Sequence, residues 1–381
     1  MIRKSLYFIL IIISFSPVLA QVEEEVNVVG LRFLDYNNSY LPEDLLQTRS
    51  AVFVSVPQKS ETSSERGDWK NYAREAHNYF KKIGIDPDVY VYLDDALAGP
   101  DASKAYADYL KSRDVKYIII LSKVLLKSGS KIDTTNVMVI SNFNGTGTFI
   151  SNGQKAWKDQ NKDLEKIMRN IFRITVKQEF KKTNNLIIDQ PEFVGGINII
   201  PNLRNESFPL NLRTDKLAVP MFTDYQLPDN IPGNSMNHRI QKQIEENNQL
   251  TTRLNESLKK AFAGYNWKYD LVDYNKGEDQ LFKDGYQFVL LRLNTSGYSI
   301  HQMLGYETKP GETDYITIKK KPDGMVTFRS IPIGAPVYKF YVKQLARKEI
   351  YVGETWDADE TWQDALQTFL QNLEDYLKKG H

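Results

Sequence analysis

The chain has 381 residues, of which 41% are hydrophobic and 25% charged, with a formal net charge of +1. This length is typical of two domains, and the near-neutral charge favours neither nucleic acid nor an anionic membrane as a partner. Cysteine is absent, which excludes disulfides, thiolate catalysis, cysteine metal sites and a lipid-bearing cysteine.

The first twenty residues predict a secretory signal peptide. Arg3 and Lys4 precede an apolar run over 5–16, and Pro17 ends that run. The segment 18–20 then has small residues at the two positions that a signal peptidase reads, so cleavage is expected between Ala20 and Gln21. The run is too short to be a lasting anchor, and no later segment is long and apolar enough to span a membrane. We therefore expect an exported, soluble protein, periplasmic or secreted, and the lack of cysteine favours a bacterial envelope.

Residues 21–48 are predicted to be a leader and 49–182 a first α/β domain. Apolar, β-branched runs predict strands, and apolar residues at helical spacing predict helices, with Asp68 and Asp101 as N-caps and Gly84 as a stop. Alternating strands and helices indicate a parallel sheet. The predicted elements are strands at 51–56, 88–93 and 117–121, a hairpin over 137–143 and 147–150, and helices over 69–83, from 101, and over 162–180.

A linker is predicted over 183–213, which is rich in Pro and Gly, followed by a second α/β domain over 214–381. The second domain repeats the outline of the first, so the two mixed-sheet domains are either an internal duplication or two independent α/β domains. Pro220 marks the first strand as a candidate edge strand. The predicted elements are strands at 216–222, 269–272, 288–293, 315–318, 326–328, 337–345 and 349–351, and helices over 238–262 and 361–377.

The second half resembles the small α/β domain of envelope proteins such as the TolB N-terminal domain and the curli-secretion and penicillin-binding-protein activator lipoproteins. The resemblance rests on the strand at 217–222, the long helix after it, a strand ending at Asp273-Tyr274, and the Y-x-F-Y-V…K-E-I-Y-V-G-E pattern over 337–354. It implies a binding or assembly module, although this chain lacks the lipid anchor and carries an extra half. The whole chain also resembles uncharacterised secreted bacterial proteins that sometimes bear the label NTPase, but it contains no G-x-x-x-x-G-K-[ST] phosphate loop.

A ligand cleft is predicted at the carboxyl ends of the first-half strands, where open α/β sheets bind ligands. Cationic side chains there suit an anion, and paired carboxylates suit a divalent cation or acid–base chemistry. The alternative interpretation needs no ligand: Asp94 and Asp95 form an ordinary turn, and Asp68 and Asp101 are ordinary helix caps. The candidate ligand-binding residues are Lys59, Arg66, Asp94, Asp95, Asp101 and Lys123.

No other pattern predicts catalysis. The four histidines show no metal-ligand spacing, and no G-x-S-x-G is present, so neither a metal nor a cofactor is predicted. Tyr90, Tyr92, Tyr338, Phe340 and Tyr341 could form aromatic stripes that bind glycans, or could pack beneath helices. The expected function is a non-enzymatic binding or assembly module with an envelope or secreted protein partner. The alternatives are a nucleotide or phosphate-ligand hydrolase using the first cleft, and a glycan-binding protein.

Overall fold

A computed structural model describes residues 34–379 apart from 40, 61–62, 64, 129–130, 185, 202–203, 225–234 and 321–324. The predicted signal peptide, 1–20, and residues 21–33 of the predicted leader lie outside the described residues. The described strands are β1 (Asp35–Tyr36), β2 (Arg49–Ser55), β3 (Asp86–Tyr92), β4 (Val115–Ser128), β5 (Lys131–Asn142), β6 (Lys155–Asn161), β7 (Phe193–Val194), β8 (Leu217–Pro220), β9 (Tyr269–Val272), β10 (Phe288–Ser296), β11 (Asp314–Lys320), β12 (Val326–Pro332), β13 (Pro336–Gln344) and β14 (Ile350–Tyr351).

The described helices alternate with these strands, as an α/β fold requires. They are α1 (Trp69–Ile83), α2 (Leu93–Ala96), α3 (Pro100–Ser112), α4 (Leu164–Lys177), α5 (Ser235–Ala261), α6 (Gly277–Lys283), α7 (Gly297–Met303) and α8 (Trp362–Lys379).

Helix α1 shows how the local sequence sets an element. The Asp68 carboxylate accepts a hydrogen bond from the Asn71 N–H at 3.0 Å, which satisfies a free donor of the first turn. Gly84 ends the helix with φ of 101°, a left-handed conformation that only glycine adopts readily. Both termini and the helix itself confirm the sequence prediction.

In the part of the chain that the structure describes, two mixed sheets form the frame. The first has the order β1-β6-β5-β4-β2-β3-β7, and the second has the order β14-β13-β10-β8-β9. In each sheet three adjacent strands run parallel, β4-β2-β3 in the first and β10-β8-β9 in the second, and the strand beside β4 or β10 is antiparallel to it. The α/β class with mixed sheets is therefore confirmed.

The two sheets share one strand order. The series β6-β5-β4-β2-β3 corresponds, strand for strand and in direction, to β14-β13-β10-β8-β9. Helix α1 follows β2 and helix α5 follows the corresponding strand β8, and α4 and α8 close the two halves. The repeated outline thus holds at the level of topology, while internal duplication stays a prediction.

Within the described residues, three apolar cores lie between the layers. One lies between the first sheet and α1 with α4, and another lies between the second sheet and α5 with α8. The third joins the inner faces of both sheets through α3 and α6, with Phe53 and Tyr106 from the first half and Leu281 and Leu291 from the second. The layers are therefore helix, sheet, helix, sheet, helix, with one core that contains residues of both predicted domains. The predicted domain boundaries themselves stay predictions.

Two predicted strand positions were wrong. The antiparallel neighbour of β5 is β6, whereas 147–150 forms a turn because Phe149 and Ile150 bury their side chains in the inner core. Strand β8 is not an edge strand, since it lies between β10 and β9. Pro220 is tolerated because it is the last residue of β8, and β10 pairs only with Leu217 and Ala218.

Asp101 is not a helix cap. Gly99 is the N-cap of α3, and Pro100 takes the first helical position, where its fixed φ suits a helix start. Asp101 therefore falls one residue inside the helix, and its carboxylate is free to reach the second sheet.

Strands β11 and β12 form a separate two-stranded antiparallel ribbon, called the ribbon below. It is inserted between β10 and β13, at the position where the first half joins β4 to β5 through only residues 129–130. Among the described elements, the first half has no counterpart to it.

Candidate functional site

Arg66 and Asp94 meet at the carboxyl ends of β2 and β3. Arg66 lies on a loop that folds back on itself, with a bridge between Gln58 and Arg66. Its Nε is 3.4 Å from Asp94 Oδ2, and both side chains are about one-fifth exposed. The structure thus brings together two of the six predicted site residues as an ion pair.

Two predicted cations have other contacts. Lys59 lies on the same loop as Arg66, and its Nζ is 2.5 Å from Glu65 Oε2 in an exposed ion pair. Lys123 is on β4, with its Nζ 4.6 Å from the ring centroid of Tyr72. An anion at this edge would compete with carboxylates or an aromatic ring for each of these cations.

Asp95 faces the second sheet although Asp94 beside it faces Arg66. Its Oδ1 accepts a hydrogen bond from Thr295 Oγ1 at 2.6 Å, and the residue is buried. Burial raises the pKa of Asp95 to about 6, because water is removed from the charged form, and the hydrogen bonds from Thr295 and Ser299 offset part of this effect.

Asp101 also reaches the second sheet. Its two oxygens accept hydrogen bonds from Tyr341 OH at 2.8 Å and from Lys343 Nζ at 2.5 Å. Lys343 Nζ is also 2.8 Å from Glu278 Oε1 on α6, and Lys348 lies 3.0 Å from the other oxygen of Glu278. Burial raises the pKa of Glu278, but the two lysines outweigh burial and hold it below its usual value.

These contacts divide the predicted cleft. Asp95 and Asp101 join the two sheets, together with a main-chain hydrogen bond from Asn294 N–H to Ala98 O at 2.7 Å. We call this set of contacts the inter-sheet interface. Arg66 and Asp94 stay at the sheet edge, so the six candidate residues do not converge on one centre. The sequence analysis missed this division of the cleft because the side chains of two adjacent residues, here Asp94 and Asp95, can face different layers of the fold.

The ribbon carries an exposed apolar face that the sequence analysis treated only as a pair of strands. Ile316 is 59% exposed, Val326 48% and Phe328 71%. Ile318 pairs with Phe328 and Ile316 with Ser330, so these side chains share one face of the ribbon. The sequence does show apolar residues at alternate positions over 316–318 and 326–328, which places them on one face of the ribbon. It does not show whether another element covers that face.

The opposite face of the ribbon is held to the second half by charges. Asp359, fully buried, lies 2.6 Å from Arg329 Nη1 and 2.6 Å from Lys319 Nζ. The Asp359 main chain also exchanges two hydrogen bonds with Tyr338 of β13. Several anchors therefore hold the ribbon in one orientation with its apolar face outward.

The aromatic residues proposed as a glycan-binding stripe pack inside the protein. All five side chains are buried, namely those of Tyr90, Tyr92, Tyr338, Phe340 and Tyr341. They belong to the three apolar cores, so they supply no exposed stacking surface.

Within the described residues, no group of three or more His, Cys, Asp or Glu side chains is placed to hold a metal ion. In the same part of the chain, no helix has the length and apolarity needed to cross a membrane. Comparison with protein-family models, curated proteins and solved structures finds no match to this chain.

Proposed function

We propose that this protein is an exported binding or assembly module of the cell envelope that recognises a protein partner without catalysing a reaction. Its signal peptide would direct export, and the chain would act in the periplasm or outside the cell. The proposal is carried by one observation: the ribbon exposes an apolar face, while ion pairs to the buried Asp359 hold its opposite face to the second half.

Three features of the ribbon support a role in recognition. It is an insertion relative to the strand order that the two halves share. Its exposed residues include Ile316, Val326 and Phe328, which are large apolar side chains clustered on one face, and clustered exposed apolar side chains are typical of interaction sites. Its anchor at Asp359 limits the conformational entropy that binding would cost.

The test is partner capture by crosslinking in the native envelope, with wild-type protein and Phe328→Asp. We expect the substitution to remove the captured partner, since a charge in an apolar contact is left unpaired. Phe172→Asp is the matched control, because Phe172 is 52% exposed on α4, far from the ribbon in sequence. Equal capture by wild type and Phe328→Asp would contradict the proposal.

A hydrolase of a nucleotide or another phosphate ligand is the second candidate, and the Arg66–Asp94 pair favours it. Arg66 would bind a phosphate and Asp94 a divalent cation at the sheet edge, where the two side chains lie 3.4 Å apart. Thermal unfolding of residues 21–381 with nucleotide and Mg²⁺ separates the two functions. A ligand at a hundred times its dissociation constant adds about 2.7 kcal/mol of stability. A shift that Asp94→Ala abolishes would establish the second candidate, whereas the binding module predicts none.

A further inference from the structure

We propose that the outer helices of the first half bind the surface of an anionic phospholipid membrane. The surface concerned consists of α1, α4 and the segment that follows α4 as far as residue 188, and we call it the basic face. It is separate from the ribbon, so this inference goes beyond the proposed function and does not depend on it.

The basic face carries an excess of positive charge that the nearly neutral whole chain conceals. Helix α1 and residues 162–182 together contain eleven Lys and Arg but only four Asp and Glu. The outer helices of the second half, α5 and α8, contain seven Lys and Arg and six Asp and Glu. The excess is therefore confined to one outer layer of the molecule, and a local excess of this kind attracts an anionic surface to that side.

Several cations of the basic face are available to such a surface. Arg169 is paired with Glu165 on the same helix. Five other cations are exposed and have no ion-pair partner among the described residues, namely Lys166, Arg173 and Lys177 on α4 and Lys181 and Lys182 after it. These five can approach lipid phosphates without giving up an existing ion pair, and each adds to the attraction.

Apolar side chains are exposed among these cations. Phe172 is 52% exposed and Val176 59%, and they share one side of α4 because they are four residues apart. Leu186 is 95% and Ile188 46% exposed. Their segment lies against α1, where His77 Nε2 donates a hydrogen bond to Ile188 O at 2.9 Å. A soluble polyanion would use the cations alone, whereas a bilayer also takes up apolar side chains at its headgroup boundary, so the combination favours a membrane.

The experiment is co-sedimentation of the full mature chain with vesicles of phosphatidylcholine, either alone or mixed with phosphatidylglycerol. We expect binding to the anionic vesicles only, and weaker binding as salt is added, because salt screens exposed charges. Arg173→Gln and Lys177→Gln should each weaken binding about fivefold, the contribution of one cation near an anionic surface, and together about 25-fold. Phe172→Ser should also weaken binding, because it removes an apolar side chain from the lipid contact.

The matched control is Lys259→Gln/Lys260→Gln, which removes two exposed charges from α5, in the outer layer of the second half. It should leave vesicle binding unchanged, and thermal unfolding checks that every variant is folded. An equal loss of binding in the control and in Arg173→Gln/Lys177→Gln would overturn the proposal, because net charge rather than the basic face would then be responsible.

Three further outcomes overturn the proposal: no binding to anionic vesicles, equal binding to neutral vesicles, and binding that Phe172→Ser leaves unchanged, which would indicate a site for soluble polyanions. The proposed function has a separate readout, since partner capture depends on Phe328 of the ribbon. Substitutions at Phe172 should weaken vesicle binding and leave that capture unchanged, so the failure of one proposal is distinguishable from the failure of the other.

Discussion

At the scale of single residues, His301 shows how tertiary packing changes an ordinary side chain. Its ring stacks on Tyr315 at 3.6 Å between centroids and on Tyr306 at 4.9 Å, and the Trp356 ring lies 4.4 Å away at a steep angle. Neither ring nitrogen has a hydrogen-bond partner within the described structure. Burial lowers the pKa of His301 to about 4, and the negative charge of the Glu312 carboxylate offsets part of this effect.

The lowered pKa predicts a loss of stability in mild acid. An unfolded histidine binds its proton near pH 6.5, so acidification from pH 6.5 to pH 4 favours the unfolded chain, and below pH 4 the loss is complete. The free energy of unfolding should fall by up to about 3 kcal/mol from this residue. His301→Phe keeps the stacking and removes the titration, so its denaturant-derived stability should fall less over the same pH range. Parallel stability curves for the two proteins would contradict this prediction.

At the scale of elements, local signals set most helices and strands. Helix α1 illustrates this, since its N-cap, its apolar stripe and its terminal glycine can each be read from neighbouring residues. Strand pairing is less local. The partner of β5 was misplaced because the apolar residues at 147–150 enter the core from a turn, and apolarity alone does not distinguish a strand from a buried turn.

The cap of α1 predicts a modest loss of stability on substitution. Asp68→Ala leaves the Asn71 N–H without its acceptor, and loss of such a cap costs about 1 kcal/mol. Glu75→Ala is the control, because Glu75 is exposed in the same helix and alanine favours helices. Chemical denaturation should show the loss only for Asp68→Ala, and equal effects of the two changes would refute the role of the cap.

At the scale of the whole molecule, the inter-sheet interface makes the two halves depend on each other. Gly99 lies against β10 so closely that an added Cβ would be 2.4 Å from the main-chain oxygen of Arg292. Hydrogen bonds from Asn294 to Ala98 and from Thr295 to Asp95 flank this contact. The α3 layer therefore has little freedom to shift relative to the second sheet.

Gly99→Ala should consequently destabilise the protein by about 1–3 kcal/mol, the usual cost of overpacking a tight interior. Gly264→Ala is the control, because an added Cβ there would meet no atom within 4 Å. Thermal unfolding should show a lower Tm for Gly99→Ala alone. An unchanged Tm for Gly99→Ala would contradict the close packing of Gly99 against β10.

The candidate site shows the limit of sequence reasoning most clearly. The carboxyl ends of β2 and β3 were predicted to meet at one edge, and Arg66 does pair with Asp94 there. Asp95 and Asp101 were assigned to the same cleft, but they contact Thr295 and Lys343, some 200 residues later in the chain. No local pattern reports such a contact, because it depends on how two sheets pack.

The sequence by itself determined the α/β class, the helix α1 with its termini and the apolar third strand of each half, because periodicity, capping and β-propensity act over a few residues. Only the tertiary structure decided the shared inner core, the division of the predicted cleft and the exposed face of the ribbon. Each of these depends on which side of an element another element covers, and that choice is made by long-range packing rather than by neighbouring residues.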